Sequence, residues 1–555
     1  MSIKEQHINK ILIWLLVVSA LVRGVLAAWL ELGNDEVYYW TYALYPEWSH
    51  FDHPPMVGWV MQLFSLNLLF DSEFFLRLAS VVFMTANTYI IYRIGKEIKN
   101  AQTGLYAALL YTASIYAFVI TGVFILPDTP LMLFWLLAFW MAIKYFFRLP
   151  RSARNDLDDT LRVIARRNDE AIQKNQYILL FGLFAGLAML SKYSGVFLWV
   201  GMGLYILIFN RKQLKNPYLY LALLISAICC IPVLYWNIQN NFVSFSFHGD
   251  RIGLFGKPNL GTFGTEILGE FFYNNPVNFV LAVMAVVAVF KGKTHVEKPV
   301  SRLLLCTALP LIGLFWFFSL TRPVLPHWNA LAYCLLILLT ACSLADKNPS
   351  KNGVFPLPKS ILASLCVLLL TLVIGVAEIK TGFIPLDKHT DSELLGRDDF
   401  TLDMYGWRQL EEKFAILREQ EISKDAMREE DGIVADEWFP LANLDYYVAR
   451  PLGMRAMGLG WLQWLHKYLW INEERGGFHL GENYWFLSDS RYPKDPKEMY
   501  QWYFDEIELM DTITIDRCGK PVKNFFIYTC KGLRAEPPTL TQIKASGAAD
   551  TSSRP

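Results

Sequence analysis

Apolar runs about 20 residues long recur through the first 379 residues, and they constrain the fold more than any other feature. A helix of that length matches the ~30 Å hydrocarbon core of a bilayer, where only helices and closed barrels satisfy every backbone group. The runs read as spans at 11–30, 74–92, 102–125, 130–147, 177–191, 195–209, 218–236, 276–290, 303–320, 328–344 and 360–377. The expectation is a polytopic α-helical membrane protein with about eleven transmembrane helices. Composition agrees: the chain is 54% hydrophobic and only 18% charged, where soluble domains run near a quarter charged. With a net charge of zero, no nucleic-acid partner is expected. No small-residue cleavage site follows Ile11–Leu30, which therefore reads as a retained first helix.

Met56–Phe70, MVGWVMQLFSLNLLF, is the ambiguous run. Fifteen residues are short for a crossing, and Pro54-Pro55 suit a helix start. Positive charge decides the matter, because cytoplasmic loops collect Lys and Arg. With residue 1 inside and 56–70 in the interface, 23 of the 29 basic residues before position 380 fall inside. Counting 56–70 as a crossing reverses the bias. The chain thus reads as a multi-pass protein of the cell (inner) membrane, N-terminus cytoplasmic and C-terminal domain extracytoplasmic.

Charge also divides the chain. Residues 1–379 hold 29 Lys and Arg against 21 Asp and Glu, and residues 380–555 hold 22 against 30. The expected domains are a transmembrane catalytic part, 1–379, with a first outer loop at 31–73; an extracytoplasmic α/β domain, 380–535; and a disordered polar tail, 536–555. The charged insert 148–176 lies inside and reads as a solvated surface helix. Six cysteines lie in apolar runs. Cys518 and Cys530 fall at the turn and the far end of a hairpin, about 25–30 Å apart at ~3.3 Å per residue, too far for a disulfide.

Between the first run and Met56 lies Asn34–Pro55, NDEVYYWTYALYPEWSHFDHPP. It carries Asp35, Glu36, Glu47 and Asp52, two histidines and seven aromatic residues, and no Lys or Arg. Acids and histidines among aromatics at the mouth of a span read as a reaction site. The charged residues of the other outer turns are scarce. Lys192, followed by Tyr193 in LAMLSKYSGVF, sits where two spans meet. An ionisable residue at that depth is costly and points to function, although a lysine also snorkels to headgroups. Asp128 lies in FILPDTPLML, where it could simply cap a helix. Arg251 follows NFVSFSFHGD, and Arg322 and His327 lie in SLTRPVLPHWNA, where interface anchoring is the plain alternative. Under one topology all of them fall on the same side as the acidic loop.

At these positions the chain resembles the membrane-embedded glycosyltransferases of family 39, of the GT-C fold, which include protein O-mannosyltransferases and aminoarabinose transferases. The resemblance rests on NDEVYYW, FDHPPMVGW, ILPDTPL, GLAMLSKYSG, PVLYWNIQNNFVSFSFHGDR and PVLPHWNA, with LDMYGWRQL and the final hairpin adding to it. It implies a sugar donor on a polyprenyl phosphate, transferred on the outer face to a glycan, lipid or protein acceptor. The family's first-loop acid maps onto Asp35, with Glu36 beside it as the second candidate catalytic residue. The chemistry is consistent with the residues. A lipid-phosphate leaving group departs as an anion and needs positive charge, which Lys192, helped by Arg251, can supply. The acceptor must lose a proton, for which one carboxylate, Asp35, suffices. Adjacent Asp35 and Glu36 point about 100° apart on a helix and cannot serve as a glycosidase pair. Asp52, His53, Asp128, Lys192, Tyr193, Arg251 and His327 form the expected substrate-binding set. No cofactor is fixed by a motif, and Asp52 with His53 leave a divalent metal open, without a spacing that specifies one. The alternative function is a flippase or transporter of lipid-linked sugars, which would need a polar path through spans that carry few charges.

Overall fold

The computed structural model describes residues 3–147, 160–251, 258–293, 295–349, 356–540 and 542. They form two compact units that do not follow chain order. One comprises residues 1–28, 53–235 and 252–370, and the other residues 29–52, 236–251 and 371–555.

The first unit is helical, as the apolar runs require. Among the described residues, six helices are long and apolar enough to cross a membrane, or eight if each of two bent pairs is one span. The eleven expected runs include several that are broken or short. Run 102–125 is helix Ala101–Ala113, an extended Ser114, and a π-helical turn Tyr116–Ile120. Run 195–209 is a 3₁₀ turn followed by a 13-residue helix, Phe197–Phe209. Run 177–191 is the apolar end of helix Thr160–Ser191. The remainder of the charged insert, 148–159, lies outside the described residues. Helices Leu260–Tyr273 and Pro276–Phe290 meet at 106°. Asn275 makes that corner: it sits at φ 69°, and its amide donates to the Ala113 and Ser364 carbonyls at 2.9 Å.

Met56–Phe64 is a nine-residue helix, about 14 Å long at 1.5 Å per residue, which is less than half a bilayer core. Leu66, Asn67 and Leu68 then take positive φ in succession and turn the chain back. The helix is too short to span that core by itself.

The second unit is built on a five-stranded sheet. Strands β1 (Gly432–Ala435), β2 (Ala456–Gly458), β3 (Tyr484–Asp489), β4 (Phe504–Arg517) and β5 (Lys520–Leu533) lie in the order β2-β1-β3-β5-β4. β1 runs parallel to β2 and β3, while β5 runs antiparallel to β3 and β4. The β4–β5 hairpin is longer than expected. Its turn holds Cys518 at φ 51° and Gly519 at φ 76°, and Cys530 is buried against β3. All eight cysteines are free. Of the expected tail, residues 541 and 543–555 lie outside the described residues, and Leu540 is buried.

Residues 29–52, expected with the membrane part, pack with this sheet domain. The reason is polar as well as apolar. The Leu32 N–H donates to the Tyr447 hydroxyl at 2.6 Å, the Glu31 carboxylate accepts the Trp407 N–H at 3.1 Å, and Trp40 meets Tyr446 edge-on at 5.2 Å.

Candidate active site

The helical unit gathers four of the residues singled out above, Asp128, Lys192, Tyr193 and His327. Asp128 opens helix Asp128–Phe147 and is buried. Lys192 Nζ donates to its Oδ2 at 2.8 Å, and the Tyr116 hydroxyl donates to its Oδ1 at 3.0 Å. Lys192 reaches this point because helix Thr160–Ser191 stops beside it. Its N–H still bonds Ala188 at 3.0 Å, but its backbone is extended, with φ −158° and ψ 141°, and the 3₁₀ turn Tyr193–Val196 follows. Gly195 lets that turn fold back on the helix, since a Cβ there would lie 2.5 Å from the Ala188 carbonyl carbon. Tyr193 is half-buried in the same turn. Lys192 Nζ stands 5.7 Å over the Trp328 ring, and His327, next to Trp328, lies in electrostatic range of both Asp128 and Lys192. An ammonium has three N–H groups, so a lysine that gives one to Asp128 and stays 12% exposed can still clamp an anion. Arg322 instead lies over Phe318 at 4.4 Å.

Two buried acids in the same unit were not singled out from the sequence. Glu266 and Glu270, one turn apart on helix Leu260–Tyr273, both accept from the Asn329 amide. Trp316 and Tyr333 donate to Glu270 at 2.9 and 2.8 Å. The pair fixes Asn329, two residues beyond His327. Acids inside an apolar helix need such partners to be buried at all.

The other unit holds the first-loop acids. Helix Asn34–Leu44 begins at Gly33, and the Glu36 carboxylate turns back to accept the Gly33 N–H at 2.9 Å. This cap fixes the helix start and gives Glu36, expected as catalytic, a structural task. Asp35, one residue earlier, is exposed while Glu36 is buried, so the two do point apart. Asp52 is nearly buried. Its Oδ1 accepts the Tyr38 hydroxyl at 2.8 Å and also the Tyr42 hydroxyl, and its carbonyl oxygen meets His248 Nε2 at 2.8 Å. Burial first, and then the Asp52 charge, hold both phenols protonated well above their ordinary range. They are therefore fixed donors. Behind them lies Lys467, whose amine bonds the Tyr45 carbonyl and His50 Nδ1. Burial pushes that amine down to about 7.

His53, next in sequence to Asp52, is half-buried and belongs to the helical unit. Arg251 ends helix Val243–Arg251, and its side chain lies outside the described residues. Among the described residues, the His and Asp group that converges as metal ligands do is Asp387, His389 and Asp398, in which His389 Nδ1 hydrogen-bonds Asp387 at 3.0 Å and stands 3.7 Å from Asp398.

Comparison with known proteins bears on the fold. A family profile described as dolichyl-phosphate-mannose-protein mannosyltransferase matches residues 52–148 and 169–236, which include Asp128 and Lys192. The lipid A galacturonosyltransferase RgtD of Rhizobium johnstonii is 20% identical over 428 residues, 76% of this chain and 80% of that protein. The crystal structure of ArnT from Cupriavidus metallidurans in the apo state superposes with a TM-score of 0.57 at 12% identity, covering 93% of this chain and 97% of ArnT. The same protein bound to undecaprenyl phosphate gives 0.53 at 13% identity, covering 92% and 97%. Likeness at that identity establishes a shared fold.

Proposed function

We propose that this chain, a polytopic membrane protein of the GT-C fold, is a glycosyltransferase that moves a sugar from a polyprenyl-phosphate donor to an acceptor on the outer face of the membrane. The observation that carries the reading is the Lys192–Asp128 pair, a partly exposed ammonium held at the end of a broken membrane helix. Lys192 contacts the lipid phosphate and stabilises its departure as an anion. Asp128 holds Lys192 in place, and His327 and Tyr193 line the same turns. Asp35 takes the proton from the acceptor hydroxyl as its oxygen attacks the anomeric carbon. The bond from that carbon to the phosphate oxygen breaks, and the phosphate keeps the electron pair. One such displacement inverts the anomeric centre. Glu36 serves by fixing the helix that carries Asp35, and Asp52 binds sugar or acceptor.

Two comparisons support the substrate classes. ArnT binds undecaprenyl phosphate, which favours a lipid-phosphate donor. RgtD acts on lipid A, which favours a lipid among the glycan, lipid and protein acceptors. The positive-inside count supports a cytoplasmic N-terminus and an extracytoplasmic C-terminal domain.

The test is transfer from a labelled polyprenyl-phosphate sugar in membranes containing the protein. Wild type should transfer label, and Asp35→Asn should insert normally and transfer none. Full activity in Asp35→Asn would remove Asp35 from the mechanism.

A further inference from the structure

The reaction above gives the C-terminal domain no task, yet among this domain's contacts with the first loop is a dipeptide, His466–Lys467, that reaches into it. The short helix Leu462–Leu465 ends there, and His466 takes φ 51° and ψ −125°, a conformation that residues with a Cβ seldom adopt. Aromatic rings hold it. His466 stacks on Trp438 with centroids 5.9 Å apart, and meets Tyr38 and Phe247 edge-on at 5.9 and 5.5 Å.

The strained turn delivers Lys467 into the loop. The residue is 2% exposed. Its Nζ donates to the Tyr45 carbonyl and, at 2.8 Å, to His50 Nδ1. It also stands 5.0 Å over the Tyr42 ring, and its backbone N–H reaches the Tyr38 hydroxyl at 3.4 Å. His50 itself lies on Tyr42, with centroids 3.6 Å apart. Every one of these contacts lies in residues 38–50, and Tyr38 and Tyr42 are the two donors to the Asp52 carboxylate. Burying an ammonium is costly unless charge and hydrogen bonds offset it. Here Glu47 and Asp52 of the loop, and Glu474 of its own helix, act on it as charges rather than as hydrogen-bond partners. The other nearby cation, Arg475, donates to the Tyr45 hydroxyl at 3.0 Å and is matched by Asp445 at 2.8 Å.

We propose that Lys467 is a positioning residue for the transfer reaction: its amine fixes residues 38–52, so that Tyr38 and Tyr42 hold Asp52 in the orientation that meets substrate. This rests on the glycosyl-transfer reading. The amine's charge is the lever. Burial brings it to about 7, so both forms are present near neutrality. The neutral amine keeps two N–H groups for Tyr45 and His50, and it is the form that burial favours. Protonation leaves a charge that burial penalises, so the loop loosens as pH falls below about 7.

The test compares wild type, Lys467→Met and Lys467→Arg for kcat and KM as a function of pH, and for amide hydrogen exchange of residues 38–52. Strands β3 and β5 serve as the folding control. In Lys467→Met, acceptor KM should rise on the order of tenfold with donor KM unchanged. The loss of activity below about pH 7 that the Lys467 amine causes should disappear, and residues 38–52 should exchange faster while β3 and β5 stay protected. Lys467→Arg, charged throughout, should leave the loop loosened on both sides of about pH 7 and show no recovery as pH rises. Unchanged acceptor KM and pH profile in Lys467→Met would overturn the proposal, as would unchanged loop exchange. If wild type transfers no sugar at all, the glycosyl-transfer reading fails, and loop exchange alone then decides whether Lys467 is a clamp.

Discussion

At the scale of single residues, the site depends on charges buried with their partners. Lys192 and Asp128 have side chains 12% and 4% exposed, so removing one strands the other. Lys192→Ala should cost about 3–5 kcal/mol of stability and raise donor KM at least tenfold. Thermal unfolding in detergent and donor titration would check both, and an unchanged donor KM would rule out the phosphate role. Lys467 acts on stability in the opposite sense. Its folded-state value of about 7 lies below the 10.5 of a free lysine, so between those values the unfolded chain binds more protons. The stability it contributes therefore rises with pH across that window and is lost as pH falls to about 7. The slope of unfolding free energy against pH should be steeper in wild type than in Lys467→Met, by up to ~1.4 kcal/mol per pH unit. Lys192 and Asp128 were legible in the sequence because a charge in apolar surroundings stands out. Tyr38, Tyr42 and Lys467 were not. Phenols in an aromatic loop look like an interface belt, and Lys467 is one of many lysines in a polar domain, more than 400 residues from the loop it holds.

At the scale of elements, breaks in helices do the positioning. The apolar runs announced helices but not where they stop, because hydropathy does not register a 3₁₀ turn or an extended residue inside an apolar stretch. Lys192 owes its reach to such a break, and Gly195 allows the turn to close against Ala188. Gly195→Ala should cost about 1–3 kcal/mol by overpacking and weaken donor binding without touching any polar group. Donor KM and Tm measured together would show this, and a variant that lowers Tm alone would separate the turn from the clamp. The corner at Asn274–Asn275 and the Glu266–Glu270 pair were equally hidden. Each consists of polar residues whose burial depends on partners from other helices. The shortness of Met56–Phe64, by contrast, was foreshadowed by the length of its apolar run together with the count of basic residues.

At the scale of the whole molecule, the units interleave. Residues 29–52 and 236–251 leave the helical unit to join the sheet domain, which the contrast in charge between the two parts of the chain could not reveal. Charge reports surroundings, whereas this packing rests on aromatic side chains, among them Trp40, Trp236, Trp438 and Trp470. A fragment of 380–535 alone would expose Trp438, Tyr446 and His466, which now face the loop. It should unfold at lower denaturant than the same fragment carrying residues 29–52 through a flexible linker. Equal midpoints in urea would count against the loop as part of the domain's core.

The dipeptide that grips the first loop has a consequence in time. The ribosome delivers residues 29–52 early and His466–Lys467 more than 400 residues later. At ~5–20 residues per second the loop waits on the order of 20–90 s for its partner. During that interval its tyrosines and acids have no mould, so the loop sets last. Nascent chains arrested before Lys467 should be cut by protease within residues 38–52, and chains arrested well past β5 should resist.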